Sequence, residues 1–174
     1  YKNIPANAIL DKTLTGIGAT YMEIKARRHS IIIEPNIPVI TGKAREHKNV
    51  LAVYDDCKER EIRDYMLNPA IKYKKILTTP EGFKKIRTAA YNGGINIYTT
   101  YFCLFDECEK LTQDVAYREN ITNPVYDFFS FTNKAFVSAT PLEIRHPEIE
   151  NQGFKRYVVV PEFDYRRNIN LVIT

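Results

Sequence analysis

The chain has 174 residues, of which 44% are hydrophobic and 26% are charged, and its formal net charge is +4. This length suits one domain with a substantial core, and the composition is typical of soluble globular proteins. No apolar run approaches the roughly 18 residues of a membrane span, and the first residues lack the apolar stretch of a signal peptide. The mild basic excess permits a polyanionic partner without requiring one.

The cysteines indicate the compartment. Cys57, Cys103 and Cys108 form no CxxC pair, and their number is odd. This pattern favours a reducing cytosol over a disulfide scaffold or a zinc site, so we expect a cytoplasmic protein with no membrane partner. The chain also lacks an initiator methionine, from which we expect it to be a piece of a longer protein.

Apolar runs that alternate with stretches of helical character predict a series of strands and helices. The predicted strands cover residues 8–10, 30–35, 49–54, 75–79, 101–105 and 135–138, with further candidates at 157–160 and 169–174. The predicted helices cover residues 20–28, 37–47, 55–67, 80–92, 110–115 and 124–131, and the polar stretch 143–152 is predicted to be a surface connection. Strands alternating with helices predict an α/β fold with a mostly parallel, doubly wound sheet.

One predicted strand ends in two acidic residues. Residues 101–105, YFCLF, are apolar without alternation, as expected for a strand that is buried on both faces. Asp106 and Glu107 follow at its carboxyl end, where open α/β sheets bind ligands. There Asp106 could hold Mg²⁺ and Glu107 could orient a water for attack on a phosphate. The alternative is that both acids belong to the first turn of a helix.

A glycine-containing loop follows the first predicted strand. Residues 13–20, TLTGIGAT, have the position of a phosphate-binding loop, in which glycines let backbone amides approach phosphates. Gly16 and Gly18 supply that approach, and Thr20 supplies a hydroxyl for a metal ion. Ala19 stands where such a loop carries lysine. By itself the loop also fits an ordinary βα turn.

Taken together, five signatures resemble a known family. In chain order they are Thr15-Gly-Ile-Gly-Ala-Thr20, Glu34-Pro-Asn36, Thr78-Thr-Pro-Glu-Gly82, Asp106-Glu-Cys-Glu109 and Ser138-Ala-Thr140. This set resembles the first motor domain of superfamily-two DEAD/DEAH-box-like helicases and spans roughly residues 8–145. The resemblance implies a RecA-like P-loop NTPase domain that uses ATP and Mg²⁺.

The resemblance also implies roles for individual residues. The phosphates of ATP would be held by Thr15, Gly16, Ile17, Gly18, Ala19 and Thr20, and the metal by Thr20 and Asp106. Asp106 and Glu107 would be catalytic, whereas Ser138 and Thr140 would couple nucleotide state to domain movement. The backbone of a DNA or RNA strand would meet Pro35, Asn36, Thr79 and Pro80, and the basic cluster that contains Lys84 lies where that strand should cross.

The sequence departs from the family in two respects. With Ala19 in the loop, the positive charge for the transferring phosphoryl group must come from elsewhere, and we expect Lys12 to supply it. The competing hypothesis is a degenerate domain that has lost nucleotide binding. The second departure is length, because hydrolysis in this family needs arginines from a second RecA-like domain.

The sequence therefore predicts a motor domain in residues 1–155 and an exit segment toward the second domain in residues 156–174. The predicted function is ATP hydrolysis coupled to movement on DNA or RNA, with slow or absent turnover by this chain alone. The alternative is a catalytically lapsed, helicase-like scaffold that binds nucleic acid or protein. A stand-alone P-loop kinase or ATPase is disfavoured, because it leaves Ser138-Ala-Thr140 and Thr79-Pro80 unexplained.

Overall fold

The computed structural model describes residues 3–12, 16, 18–107, 122–139 and 147–160, with the backbone alone for residues 122–124. Within these residues the strands are β1 Ala8–Lys12, β2 Ser30–Ile33, β3 Val50–Val53, β4 Lys75–Thr78, β5 Phe102–Phe105, β6 Asn133–Ser138 and β7 Lys155–Val159. The helices are α1 Ala19–Lys25, α2 Ile37–Glu46, α3 Glu59–Leu67, α4 Phe83–Asn92, α5 Ile97–Thr100, α6 Thr122–Ser130 and α7 Pro147–Asn151. None of the described helices is long and apolar enough to cross a membrane.

The strands form one seven-stranded sheet in the order β3-β4-β2-β5-β6-β1-β7. Every neighbouring pair is parallel, so all carboxyl ends lie at the same end of the sheet. We call it the carboxyl end, and the opposite one the amino end. The predicted α/β class and parallel sheet are confirmed.

Both faces of the sheet are buried along β1, β2, β4 and β5, which explains their continuous apolar runs. Along β2 the side chains alternate between two cores: Ile31 and Ile33 pack in one, and Ile32 packs in the other. The first core is closed by the apolar faces of α3, α4 and α6, and the second by α1 and α2. Helices on both faces make the sheet doubly wound, as predicted.

The structure corrects several predicted element bounds. α1 ends at Lys25 rather than at residue 28, because Ala26 has an extended backbone with φ −63° and ψ 141°. α3 begins at Glu59, four residues later than expected. α4 begins at Phe83 rather than at Pro80, because residues 79–82 form a turn in which the Phe83 amide donates to the Thr79 carbonyl.

Other differences concern short elements. α5 was missed, since its four residues are too few to display a helical period. α7 lies inside the stretch predicted to be a surface connection. β7 begins two residues earlier than predicted, and its pairing with β1 carries the sheet past the predicted boundary at residue 156. The predicted helix at residues 110–115 and the strand at 169–174 lie outside the described residues.

Gly82 allows the turn before α4 to press against the end of β3. A Cβ atom there would lie 2.7 Å from the Val53 carbonyl oxygen and 2.6 Å from Thr78 Oγ1. Real Cβ atoms do not approach backbone oxygens this closely, so a side chain would push β3 and α4 apart. Glycine is therefore required here by space, since the backbone of Gly82 is ordinary, with φ −66° and ψ −22°.

Gly82→Ala is expected to destabilise the fold by about 1–3 kcal/mol, the range for overpacking a filled site. The matched control is Gly42→Ala within α2, where the added Cβ meets nothing within 4 Å. That substitution should stabilise the fold by about 0.5–1 kcal/mol, because alanine favours a helix interior over glycine. Urea unfolding of both variants checks the opposite signs, and destabilisation by both would contradict the steric explanation.

A buried ionic cluster joins the amino end of the sheet to α1. The Glu23 carboxylate is fully buried and accepts hydrogen bonds from Arg28 and from the Ser30 hydroxyl. Lys75 Nζ lies 3.8 Å from Glu23 Oε1 and donates to the Glu23 carbonyl at 2.7 Å and to Ser30 Oγ at 2.8 Å. Burial lowers the pKa of Lys75 to about 8, although the Glu23 charge opposes this change.

The second cation of this cluster also packs against the core. The Arg28 guanidinium carbon lies 3.4 Å from the centroid of the Phe102 ring, and Arg28 donates to the Ile4 carbonyl at 2.9 Å. These contacts tie the segment before β1, the end of α1 and β5 together. Through Arg28, Ser30 and Lys75, the Glu23 carboxylate of α1 thus connects to β2, β4, β5 and the segment before β1.

Candidate functional site

Three segments that are distant in sequence converge at the carboxyl end of the sheet. Lys12 is the last residue of β1, Thr20 lies in the first turn of α1, and Asp106 follows β5. Lys12 Nζ lies 2.9 Å from Asp106 Oδ1, and the Thr20 hydroxyl donates to Asp106 Oδ2. The sequence analysis placed these residues in one site, and the fold brings their side chains into direct contact.

Asp106 is the centre of this arrangement. It is only 3% exposed, and Oδ1 also accepts the Glu107 backbone amide at 3.0 Å. A carboxylate removed from water requires such partners, because an unpaired buried charge is strongly unfavourable. A cation, a hydroxyl and a backbone amide therefore hold the two side-chain oxygens of Asp106 at the carboxyl end of the sheet.

Two glycines are described between β1 and α1. Gly16 and Gly18 adopt left-handed conformations with φ 74° and 82°, which residues with a Cβ rarely adopt. Gly18 precedes α1, and Ala19 is buried as its first residue. Thr15 and Ile17, also predicted to contact phosphates, lie outside the described residues.

Glu107 is held by a residue from the segment between β2 and α2. Asn36 Nδ2 donates to Glu107 Oε2 at 2.7 Å and to Glu34 Oε1 at 2.9 Å. Glu107 itself has a left-handed backbone with φ 50°. This conformation costs a residue other than glycine about 1–3 kcal/mol. The resulting chain of contacts runs from Glu34 through Asn36 to Glu107.

Glu34 is the third carboxylate at this end of the sheet. It is 2% exposed, and its Oε1 also accepts the Asn36 backbone amide at 3.0 Å. Burial, followed by the negative charge of Asp106 and, more weakly, that of Glu107, raises the pKa of Glu34 to about 7, against the lowering effect of the Asn36 hydrogen bonds. Near neutral pH Glu34 therefore exists partly as the neutral acid, which reduces repulsion within the group.

Glu34→Gln should stabilise the protein at pH 8 much more than at pH 5. The pKa of Glu34 is about 7 in the folded chain, above the value of 4.5 for an unperturbed glutamate. The fold therefore loses stability as pH rises from about 4.5 to 7, where the carboxyl must ionise beside Asp106 and Glu107. A neutral glutamine avoids that loss, so its advantage should grow by on the order of 2 kcal/mol between pH 5 and pH 8.

Urea unfolding at the two pH values measures this difference. The matched control is Glu81→Gln, which removes one carboxylate from an exposed side chain at the same end of the sheet. An advantage of Glu34→Gln that is equal at pH 5 and pH 8 would show that Glu34 ionises normally.

The residues predicted to meet a nucleic-acid backbone have different environments. Thr79 and Pro80 are buried, and Thr79 Oγ1 accepts the Gly82 amide at 3.1 Å. Pro35 is half-buried, whereas Lys84 is exposed on α4. Nucleic-acid contact by these residues stays a prediction. Since the side chains at 79–80 are buried, the backbone of the turn would make that contact.

The coupling residues are only partly described. Ser138 is fully buried at the end of β6, in register with Asp11 of β1. Thr140 lies outside the described residues. The fold thus carries Ser138 to the strand beside β1, and its coupling role remains a prediction.

Sequence reasoning did not assign a role to Glu34. It quoted the Glu34-Pro-Asn36 signature but gave a role only to its last two residues. A signal was present, because a glutamate directly after the apolar run of residues 30–33 must lie at the carboxyl end of a buried strand. The contact of Glu34 with Asn36, and through Asn36 with Glu107, could not be predicted without the strand order, which places β2 beside β5.

The donor set suits a hard cation that keeps other ligands. Within the described residues, no group of three or more His, Cys, Asp or Glu side chains could hold a metal by itself. Mg²⁺ is usually bound by one or two carboxylates together with waters and substrate phosphates. Asp106 and the Thr20 hydroxyl fit that incomplete, oxygen-only set.

A cavity of about 470 Å³ lies at the opposite, amino end of the sheet. Its lining includes Lys25, His47, Lys48, Lys72 and Lys75, and it contains none of the carboxylates described above. α1 and α2 end beside it, and helix carboxyl termini favour nearby cations. Lys25 and His47 of the lining lie at these two helix ends.

Comparison with known proteins adds one finding. No protein-family model matches the sequence, and no curated protein matches it. The structure is similar to the crystal structure of the Pyrococcus furiosus Hef helicase domain, with a TM-score of 0.57 and 16% sequence identity. The match covers 89% of this chain and 35% of that chain, so this chain spans about a third of its length.

The chain therefore shares the RecA-like α/β fold of that domain. At this level of identity the similarity establishes the fold and leaves function to the site itself. The helicase-like fold agrees with the resemblance drawn from the five sequence signatures.

Proposed function

We propose that this domain binds ATP with Mg²⁺ at the carboxyl end of the sheet, as the amino-terminal motor domain of a superfamily-two helicase or translocase. The observation that carries the proposal is the convergence of Lys12 and Thr20 on the Asp106 carboxylate. Phosphoryl transfer depends on a cation for the phosphates, oxygen ligands for Mg²⁺ and a group that orients the attacking water. Glu107, next to Asp106, would be that last group.

Each residue has a defined part in this proposal. When bound, Mg²⁺ neutralises charge on the phosphates. Asp106 and the Thr20 hydroxyl hold the metal, directly or through water. Lys12 supplies the positive charge that Ala19 cannot supply, and Glu107 orients the water and accepts its proton.

The wider parts of the proposal follow from the same assignment. A DNA or RNA strand would cross the carboxyl end of the sheet near Pro35 and Lys84. A second RecA-like domain of the same polypeptide would complete the cleft, so we expect this chain alone to hydrolyse ATP slowly or not at all. The proposed setting is the cytoplasm.

Calorimetry with MgATP tests the proposal on three proteins: the parent chain, Asp106→Ala and Ala19→Lys. We expect binding by the parent and its loss in Asp106→Ala. Binding only after Ala19→Lys would instead mean that the cleft persists while its nucleotide function has lapsed. Absence of binding in all three, or binding that ignores Asp106→Ala, would contradict the proposed site.

The lapsed, scaffold-like domain is the second candidate, and Ala19 at the start of α1 is the observation that favours it. A scaffold of this kind would bind nucleic acid with a strong dependence on salt, because phosphate contacts release counterions. Salt-sensitive strand binding without any MgATP binding would decide for it.

A further inference from the structure

Asn36 occupies the N-cap position of α2, but its side chain does not cap the helix. It is the N-cap residue, with φ −102° and ψ 106°, and its side chain makes no hydrogen bond to the first turn of the helix. Asparagine is among the best N-cap residues because its side-chain oxygen accepts such a bond. Here the side chain is turned instead toward Glu34 and Glu107.

Both protons of the Asn36 amide group are committed to carboxylates. Nδ2 donates at 2.9 Å to Glu34 Oε1 and at 2.7 Å to Glu107 Oε2. An amide group has two N–H donors, so a new acceptor must replace one of these two.

The two bonds differ in how readily they can be exchanged. Glu34 is 2% exposed, and the same Oε1 also accepts the Asn36 backbone amide at 3.0 Å, so this contact is locked. Glu107 is only half-buried and lies 71 residues away in sequence, at the start of a different loop. A ligand that needs the Asn36 amide would therefore displace Glu107.

We propose that Asn36 is a positioning residue that holds Glu107 until a nucleic-acid phosphate binds at the loop after β2. The phosphate oxygen takes the Asn36 N–H that Glu107 Oε2 now accepts, and Glu107 is released to orient water. Only hydrogen bonds are exchanged in this step. It rests on the proposed function and specifies how strand binding would regulate the same site.

The exchange has a physical basis in the acceptors. The bond from Asn36 fixes the direction of the Glu107 carboxylate and occupies one lone pair of Oε2, so its exchange leaves the carboxylate able to turn toward a water. Glu107 also has a left-handed backbone, with φ 50°. Occupancy of one loop is thereby linked to the geometry of the other across the end of β2.

The first test follows the Asn36 side-chain amide by two-dimensional ¹H–¹⁵N NMR of the whole chain. The resonance is assigned by its loss in Asn36→Ala. Glu107→Ala should shift it, whereas the amide of Asn96, whose side chain caps α5, should not move. A single-stranded oligothymidylate or oligouridylate of about twelve nucleotides, within the usual site sizes, should shift the Asn36 amide of the parent chain. With the strand bound, the Asn36 amides of the parent and of Glu107→Ala should agree, because the phosphate is the acceptor in both.

The second test measures strand affinity by fluorescence anisotropy. Glu107→Ala should tighten binding by about threefold to tenfold, the range of one net hydrogen bond that no longer has to be broken. Glu81→Ala is the matched control, since it removes an exposed acid from the same end of the sheet without touching Asn36. It should change the affinity by less than about twofold, because exposed charges contribute little.

The outcomes separate the two proposals. A strand that binds without moving the Asn36 amide overturns the positioning role and leaves the proposed function intact. Equal tightening by Glu107→Ala and Glu81→Ala overturns it too, because a general charge effect would then be sufficient. No binding of either strand overturns both the nucleic-acid part of the proposed function and the role of Asn36.

Discussion

Replacing Glu23 with alanine is expected to destabilise the fold by about 3–5 kcal/mol, the range for removing one partner of a buried ion pair. The substitution would leave Lys75 Nζ, in a side chain that is 3% exposed, without the carboxylate that now lies 3.8 Å away. It would also strip Arg28 and the Ser30 hydroxyl of their shared acceptor. Few single substitutions in a domain of this size have a larger effect.

Urea unfolding followed by far-UV circular dichroism measures this loss. The control is Glu46→Ala, which removes an exposed glutamate paired with Lys43 on the surface of α2. Surface pairs of this kind contribute little to stability, so the control should unfold almost like the parent. Similar losses in both variants would mean that the Glu23 cluster carries no special weight.

A double substitution separates the charge from the packing. Glu23→Met combined with Lys75→Met replaces the charged pair by apolar side chains and removes the stranded cation. Buried ion pairs can often be replaced in this way without loss, so the double variant should be more stable than Glu23→Ala. A double variant that is as unstable as Glu23→Ala would point to packing, or to the lost contacts of Arg28 and Ser30, rather than to the unpaired lysine.

Lys12→Ala is expected to weaken MgATP binding by about 10- to 100-fold, as for the loss of one hydrogen bond to a charged group. Lys12 is 8% exposed, and its amine is held 2.9 Å from Asp106, so it meets any phosphate at this end of the sheet already oriented. The prediction depends on Lys12 replacing the lysine that the loop lacks at Ala19.

Two further variants make this prediction specific. Lys25→Ala removes an exposed lysine in the last turn of α1 and should leave MgATP affinity unchanged. Lys12→Arg keeps the charge and should retain part of the affinity, although its fork does not reproduce the point charge of an amine. Unchanged MgATP affinity in Lys12→Ala would show that Lys12 does not replace the lysine that the loop lacks at Ala19.

The fold class could be predicted from the sequence because the strands are buried on both faces. The run of residues 31–33, three isoleucines with 0% exposure, has no other ready explanation in a chain of this composition. α5 and α7 could not be predicted, because helices of four and five residues display no period. Strand order is also absent from local patterns, since it depends on crossover connections between distant segments.

The site was predictable in its parts and less so in its contacts. Residue types placed Lys12, Thr20 and Asp106 at one end of the sheet, because each follows or adjoins a strand. The link from Asn36 to Glu107 spans 71 residues, and that from Lys75 to Glu23 spans 52, so neither leaves a trace in local sequence. A buried glutamate on the apolar face of α1 was the one available sign of the ionic cluster.

The position of β1 has a consequence for how the domain is made. Ala8 pairs with Ala135 on one side and with Lys155 on the other, whereas β2, β3, β4 and β5 occupy adjoining positions in the sheet. During synthesis β1 leaves the ribosome before β6 and β7, with β2 to β5 in between, and closing so long a loop is slow. Lys12, at the end of β1, therefore takes its place in the sheet only after the segment that carries Asp106 has been made.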